Sequence, residues 1–270
     1  MKRRNSLLVL AASSLAAASI LVGQSVTTSW LPDAAQAQKK TLTMGTSPDY
    51  PPYEFYDTSS GNQEIVGFDV DIAKAITGKL GYELKISGMD FDGLIPALLS
   101  KRVDFVMAGM TPTEERKKNA DFSDIYFEAK NTIVAKKGSN FKSFEELAGK
   151  KLGVQLGSIQ EGEAKGVLED GKVKFEIVSL NKIGDLILEI KAGRIDAAII
   201  EDTVAKGFVE PNPDLEFAVI PTDGPTGSAI AFPKDSPLTE EFNRVLTQMI
   251  ADGEIEKLAE KWFSESIAQQ

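Results

Sequence analysis

The chain has 270 residues, of which 42% are hydrophobic and 26% charged, the proportions of a globular protein rather than of a disordered or fibrous one. Acidic residues outnumber basic ones 40 to 30, which argues against a surface that tracks nucleic-acid phosphates. There is no Cys and no His, so disulfides, thiolate catalysis, iron–sulfur clusters, imidazole or thiolate metal sites and Ser-His-Asp triads are excluded.

In chain order, Lys2, Arg3 and Arg4 precede an apolar run from Leu7 to Gly23, and Ala35-Gln36-Ala37 carries the small-x-small pattern of signal-peptidase cleavage. Residues 1–37 are expected to be a signal peptide; the competing reading, an uncleaved anchor, suits the Ser-interrupted run less well. Without Cys there is no lipid anchor, so a freely secreted protein is expected. Cleavage after Ala37 leaves 233 residues, 27 basic and 39 acidic, with net charge −12.

Beyond residue 40, β-like runs alternate with helical periods. Strands are expected over Thr41–Thr46, Tyr82–Ser87, Val103–Ala108, Lys151–Gln155, Lys174–Val178 and Ile195–Ile200. One helix face is formed by Ile72, Ala73, Ile76 and Leu80, with Asp69 as its N-cap, and another by Leu94, Ile95, Leu98 and Leu99. Ser143 with Glu146 spells a capping box. Ser236-Pro237 starts a helix, Gly253 breaks it, and Ile255, Leu258, Ala259 and Trp262 form a last apolar face. The alternation implies an α/β fold with mainly parallel sheets. A short echo, Arg102-Val103-Asp104 and Arg194-Ile195-Asp196, recurs after 92 residues and suggests two similar lobes. Gly109 and Glu201, five residues after each Asp, then lie at the carboxyl ends of equivalent strands, where open α/β sheets bind ligands.

Four segments could carry binding chemistry. In Ala108-Gly109-Met110-Thr111-Pro112-Thr113-Glu114-Glu115-Arg116, Gly109 permits close backbone approach, Thr111 and nearby N–H groups can donate to an anion, and Arg116 can grip a carboxylate in a bidentate fork. The competing reading is an ordinary turn with Arg116 in a surface ion pair. The loop Tyr50-Pro51-Pro52-Tyr53-Glu54-Phe55 can hold an aromatic face outward, with Phe91 opposite, although core packing suits Phe55 and competes at Phe91. Acidic Glu201 and, alternatively, Asp202 can bind an ammonium, while Asp202 or Thr203 can cap the next helix. Around Leu156-Gly157-Ser158-Ile159-Gln160-Glu161, the Ser158 hydroxyl and backbone donors could complete a carboxylate site. Carboxylate donors, an ammonium acceptor and aromatic walls together suit a free α-amino acid. No nucleophile is paired with a base, so no enzyme and no cofactor are expected.

Those segments, with Val66-Gly67-Phe68-Asp69-Val70-Asp71, Phe91-Asp92-Gly93-Leu94-Ile95-Pro96-Ala97-Leu98, Ala231-Phe232-Pro233-Lys234 and Trp262-Phe263, make the chain resemble the periplasmic amino-acid-binding proteins of polar amino-acid ABC transporters over nearly all of 40–266. The resemblance implies a two-lobed type II periplasmic-binding-protein fold with two hinge strands and the ligand in the interlobe cleft. Lobe one is expected over 40–130 plus 229–270 and lobe two over 131–228. It implies that Arg116 clamps the α-carboxylate, assisted by Ala108, Gly109, Thr111 and Ser158. It implies that Glu201, where many relatives have Asp, holds the α-ammonium, with Asp202 as the alternative. Tyr50 and Phe91 match the aromatic walls, and Gln160 a position used by relatives that bind basic side chains. With Asp49, Glu54 and Glu161 adding negative potential, arginine or lysine is expected before glutamine, with histidine possible. A membrane permease is the implied partner, nucleic acid is not, and the protein is expected as a periplasmic monomer. A cyclohexadienyl or arogenate dehydratase on the same fold is the enzymatic rival.

Overall fold

The computed structural model describes residues 39–265 apart from 60, 62, 222, 223 and 225. The expected signal peptide, 1–37, lies outside the described residues. Thirteen strands are described: β1 (Thr41–Thr46), β2 (Asp49–Tyr50), β3 (Glu54–Asp57), β4 (Glu64–Val66), β5 (Glu83–Gly88), β6 (Phe105–Val106), β7 (Ala120–Phe122), β8 (Asn131–Lys136), β9 (Lys151–Gln155), β10 (Glu176–Leu180), β11 (Ala197–Glu201), β12 (Leu215–Val219) and β13 (Ala231–Pro233). The helices are α1 (Phe68–Leu80), α2 (Leu94–Leu99), α3 (Glu114–Lys117), α4 (Ile159–Glu169), α5 (Ile183–Ala192), α6 (Asp202–Val209), α7 (Pro237–Ala251) and α8 (Glu254–Glu265). None is long and apolar enough to cross a membrane.

Two five-stranded sheets have the orders β5-β1-β6-β13-β7 and β10-β9-β11-β8-β12. In each, four strands run parallel and one, β13 or β8, runs against its neighbours. Those two strands follow the segments 123–130 and 220–230, where the chain passes from one sheet to the other. The two crossing segments are joined by a bridge between Phe127 and Ser228. Strands β2, β3 and β4 form a small third sheet beside the first.

Both faces of each large sheet are covered, as βα connections require. On the first, Ile72 and Ile76 of α1 and Phe242 and Leu246 of α7 pack with Leu42, Met44 and Phe105, while Leu94 and Leu98 of α2 pack with Val106. On the second, the strand alternation sends Val134, Ala198 and Ile200 to one face with Leu186 and Ile190 of α5. It sends Ile133, Ala197 and Ile199 to the other with Ala164 of α4.

The 92-residue echo is a repeated piece of structure. The Arg102 and Arg194 N–H groups donate to Ala97 and Glu189 carbonyls, closing α2 and α5. Asp104 N–H then donates to the Thr43 carbonyl at 2.8 Å while its Oδ2 accepts from Thr43 N–H at 2.7 Å. Asp196 does the same to Lys151, at 2.9 and 2.8 Å. These side-chain bonds replace a ladder rung, so β6 and β11 start two residues later than the apolar pattern predicts. β6 also ends early, because the chain turns away at Gly109, whose φ is +54°.

Three expected caps are corrected. Helix α1 is entered from Gly67, and Asp69 lies inside its first turn with its carboxylate turned to Gly109 and Tyr126 instead. Ser143 makes no side-chain cap on the short 3-10 turn Phe144–Leu147, and Glu146 accepts from Lys142 N–H instead, at 2.5 Å. The residue before α6 is Glu201 rather than Asp202 or Thr203, and its side chain is turned elsewhere. β10 also lies two residues beyond the run expected over Lys174–Val178.

Candidate functional site

The carboxyl ends of the parallel strands meet around one cavity between the two sheets. Tyr50, Phe91, Ala108, Gly109, Thr111 and Arg116 line it from the first-sheet side, and Ser158, Gln160 and Glu201 from the second. Asn131, Gln155, Ser47, Ala129, Ile159, Thr226 and Gly227 complete the wall. Asp49 and Asp202 are not among the lining residues. Asp49 accepts from Ser47 Oγ at 2.7 Å and from Ile183 N–H at 2.9 Å, and Asp202 from Thr203 and Lys130 N–H at 2.9 and 3.1 Å. Both carboxylates are occupied in fastening loops.

Arg116 is held in place from four directions. Thr113, the N-cap of α3, accepts from the Arg116 N–H at 3.2 Å. Nη1 donates to the Thr111 carbonyl at 2.8 Å and Nη2 to the Gly157 carbonyl, on the second-sheet side, at 3.0 Å. The guanidinium carbon sits 5.2 Å from the centre of the Phe91 ring, so Phe91 stacks on Arg116 as well as walling the cavity. Burial lowers the Arg116 pKa to about 10, which leaves it cationic at neutral pH. Among the described residues no carboxylate forms an ion pair with it, and an anionic ligand group would complete its coordination.

Glu201 ends β11 and is buried. Tyr53 donates to Oε1, as does Thr203 Oγ1 at 2.8 Å, while Tyr50 O–H reaches Oε2 at 3.4 Å. Burial raises its pKa to about 7, opposed by the Tyr53 and Thr203 hydrogen bonds and reinforced by Asp202 and Asp69. A cation beside Oε2 would favour the ionised form. Tyr53 was seen in the sequence only as part of the aromatic loop, and its hydroxyl is a principal partner of this carboxylate.

The remaining wall is polar but neutral. Gln160 Nε2 donates to Asn131 Oδ1 at 2.9 Å, and Asn131 Nδ2 donates to Glu163 at 2.7 Å. The Ser158 oxygen caps α4 by accepting from Glu161 N–H at 3.1 Å, which leaves its own proton to donate. Gly109 N–H donates to Asp69 at 2.8 Å, and a Cβ there would stand 3.2 Å from the Tyr50 ring. Glu161 accepts from Gly157 N–H and Ser179 at 2.8 Å each and pairs with Lys165 at 3.0 Å. These bonds outweigh its partial burial and hold its pKa low, which makes it a poor proton donor for dehydration chemistry.

Residues 42–265 match the family of bacterial extracellular solute-binding proteins, family 3. The chain is 51% identical to the arginine-binding extracellular protein ArtP of Bacillus subtilis (strain 168) over 232 residues, 85% of this chain and 89% of the relative. A crystal structure of the substrate-binding protein AbpA from Streptococcus pneumoniae bound to L-arginine superposes with a TM-score of 0.78 at 40% identity, covering 85% of this chain and 97% of that one. An ancestral arginine-binding protein bound to glutamine gives a TM-score of 0.76 at 44% identity, covering 84% and 99%. These relatives are binding proteins of a type II, two-lobed fold.

Proposed function

Because the chain belongs to family 3 of the bacterial extracellular solute-binding proteins, and the relatives it matches are binding proteins, we propose that it captures L-arginine in this cavity and hands it to the permease of an ABC transporter. The observation that carries the reading is a half-buried Arg116 with no ion-pair partner among the described residues and a buried Glu201 on opposite sides of one cavity, the two poles that a zwitterion needs. Arg116, with Ser158 and the Thr111 hydroxyl, binds the α-carboxylate against the wall formed by Ala108 and Gly109. Glu201, held by Tyr53 and Thr203, binds the α-ammonium. Tyr50 and Phe91 flank the side chain, whose far end meets Gln160 and Asn131.

A cationic side chain fits best because Arg116 and Glu201 balance each other while the Asp69 carboxylate lies behind the wall, where its field in a weakly polarisable interior favours positive charge. The relatives described as arginine-binding support the choice. Glutamine is the second reading, since the far wall offers amides and a related protein binds it.

The lobes are 40–130 plus 229–270 and 131–228, hinged at the two crossing segments. The protein works as a periplasmic monomer, exported by a cleaved 1–37 segment. Titration calorimetry of the mature protein with arginine, lysine, histidine and glutamine tests the ligand. Arginine is expected to bind tightest, and tighter binding of glutamine would overturn the assignment.

A further inference from the structure

Behind the cavity wall, two fully buried carboxyl groups lie together. Glu54 of β3 is 0% exposed, and among the described residues no donor reaches either of its oxygens. Asp69, also 0% exposed, accepts from Gly109 N–H and from the Tyr126 hydroxyl, each at 2.8 Å. The charged groups acting on Glu54 are Asp69 from α1, Asp49 from β2 and Glu201 from β11, and the phenols of Tyr50 on β2 and Tyr126 on the crossing segment face it too. All are acids, so an ionised Glu54 would be a buried anion among anions with no donor.

One proton resolves the conflict. The Asp69 N–H donates to the carbonyl of Tyr53, next to Glu54, at 3.0 Å, so the two side chains rise from adjoining backbone, and a proton on Glu54 would let it donate to Asp69. The proton belongs on Glu54 because Asp69 already has the Gly109 and Tyr126 donors and sits in the first turn of α1, where the helix favours an anion. Burial accordingly raises the Glu54 pKa well above the ordinary carboxylate value, and that of Asp69 only to about 6.

We propose that Glu54 is a positioning residue, kept as a neutral acid whose shared proton locks Asp69 onto Gly109 in the cavity wall and onto Tyr126 in the crossing segment, and thereby sets ligand affinity. Tyr126 N–H donates to the Ser228 carbonyl at 2.9 Å, so one carboxylate ties the cavity wall to both crossing segments. The ligand part of the proposal rests on the arginine reading; the protonation part does not.

The test compares wild type with Glu54→Gln, which supplies a permanent N–H donor, and Glu54→Leu, which supplies none. Arginine affinity and melting temperature are followed from about pH 6 to about pH 10. Glu54→Leu is expected to bind arginine roughly tenfold more weakly and Glu54→Gln to rescue it. In the alkaline range wild type should lose affinity and stability as the proton leaves, and Glu54→Gln should lose less. Ionisation of free arginine and of Glu201 is common to both proteins and drops out of the comparison. The infrared difference spectrum, wild type minus Glu54→Gln, should show a carboxylic-acid band at neutral pH, because the band from partly protonated Glu201 is common to both proteins and cancels. Leu binding as tightly as wild type, equal alkaline losses in wild type and Gln, or no acid band would each overturn the proposal. If wild type does not bind arginine, the functional reading fails, while the infrared and melting results still decide the protonation.

Discussion

Glu201 carries two opposed tendencies. Its pKa rises from 4.5 to about 7 in the folded protein, so ionising it costs native stability that is fully present below the unfolded value and lost as pH rises through about 7. The α-ammonium that we propose it binds, however, needs the ionised form. Ligand affinity should therefore fall as pH drops below about 7, approaching tenfold per pH unit for a single competing proton. The arginine-induced rise in melting temperature should grow between about pH 5 and pH 8 in wild type and stay nearly flat in Glu201→Gln. Equal slopes in the two proteins would remove Glu201 from the ammonium site. Arg116 and Glu201 stood out in the sequence as charged residues just after strands. Tyr53 did not, because the reason for a buried phenol appears only when Glu201, 148 positions later, is brought to it.

Among the elements, what the sequence revealed depended on strand direction. The parallel core strands followed from apolar runs between helical periods, and residues at their carboxyl ends could be named in advance. Asn131 could not, because it begins β8 rather than ending a strand. β8 runs antiparallel to β11, so its first residue pairs with Glu201, the last residue of β11, and enters the cavity from the opposite polarity. Nothing local in the sequence signals that reversal. The two Asp residues of the echo make the same paired bonds, but Asp104 is half-buried and Asp196 exposed. Asp104→Ala should cost about 1–2 kcal/mol by stranding Thr43 N–H, a fall of roughly 2–8 °C in melting temperature for a chain this size. Asp196→Ala should cost less, because water can reach Lys151 N–H. Calorimetric scans of both variants check this order, and arginine affinity should be unchanged in each, since neither residue lines the cavity.

At the scale of the whole molecule, the cavity is closed by contacts between the two sheets' sides that involve no ligand. Lys182 pairs with Asp90 at 2.6 Å and with Asp49 at 3.8 Å, Asn181 donates to Asp90 at 2.9 Å, and Ile183 N–H donates to Asp49. Contacts made only in the closed arrangement shift the population toward it, and ligand affinity then includes part of their free energy. Asp49, which looked from sequence like a source of negative potential at the ligand, therefore acts at the rim. The Lys182 side chain is 37% exposed, so screening limits its contribution to that of a surface ion pair, at most about 1 kcal/mol. Lys182→Ala should accordingly weaken arginine binding about two- to fivefold, chiefly through faster dissociation. The difference from wild type should shrink as salt is raised, because the pair lies where counterions reach it. Stopped-flow dissociation at low and high salt measures both effects. A loss that persists undiminished at high salt would remove the ion pair as its cause and assign it to lost packing of the Lys182 stem at the rim.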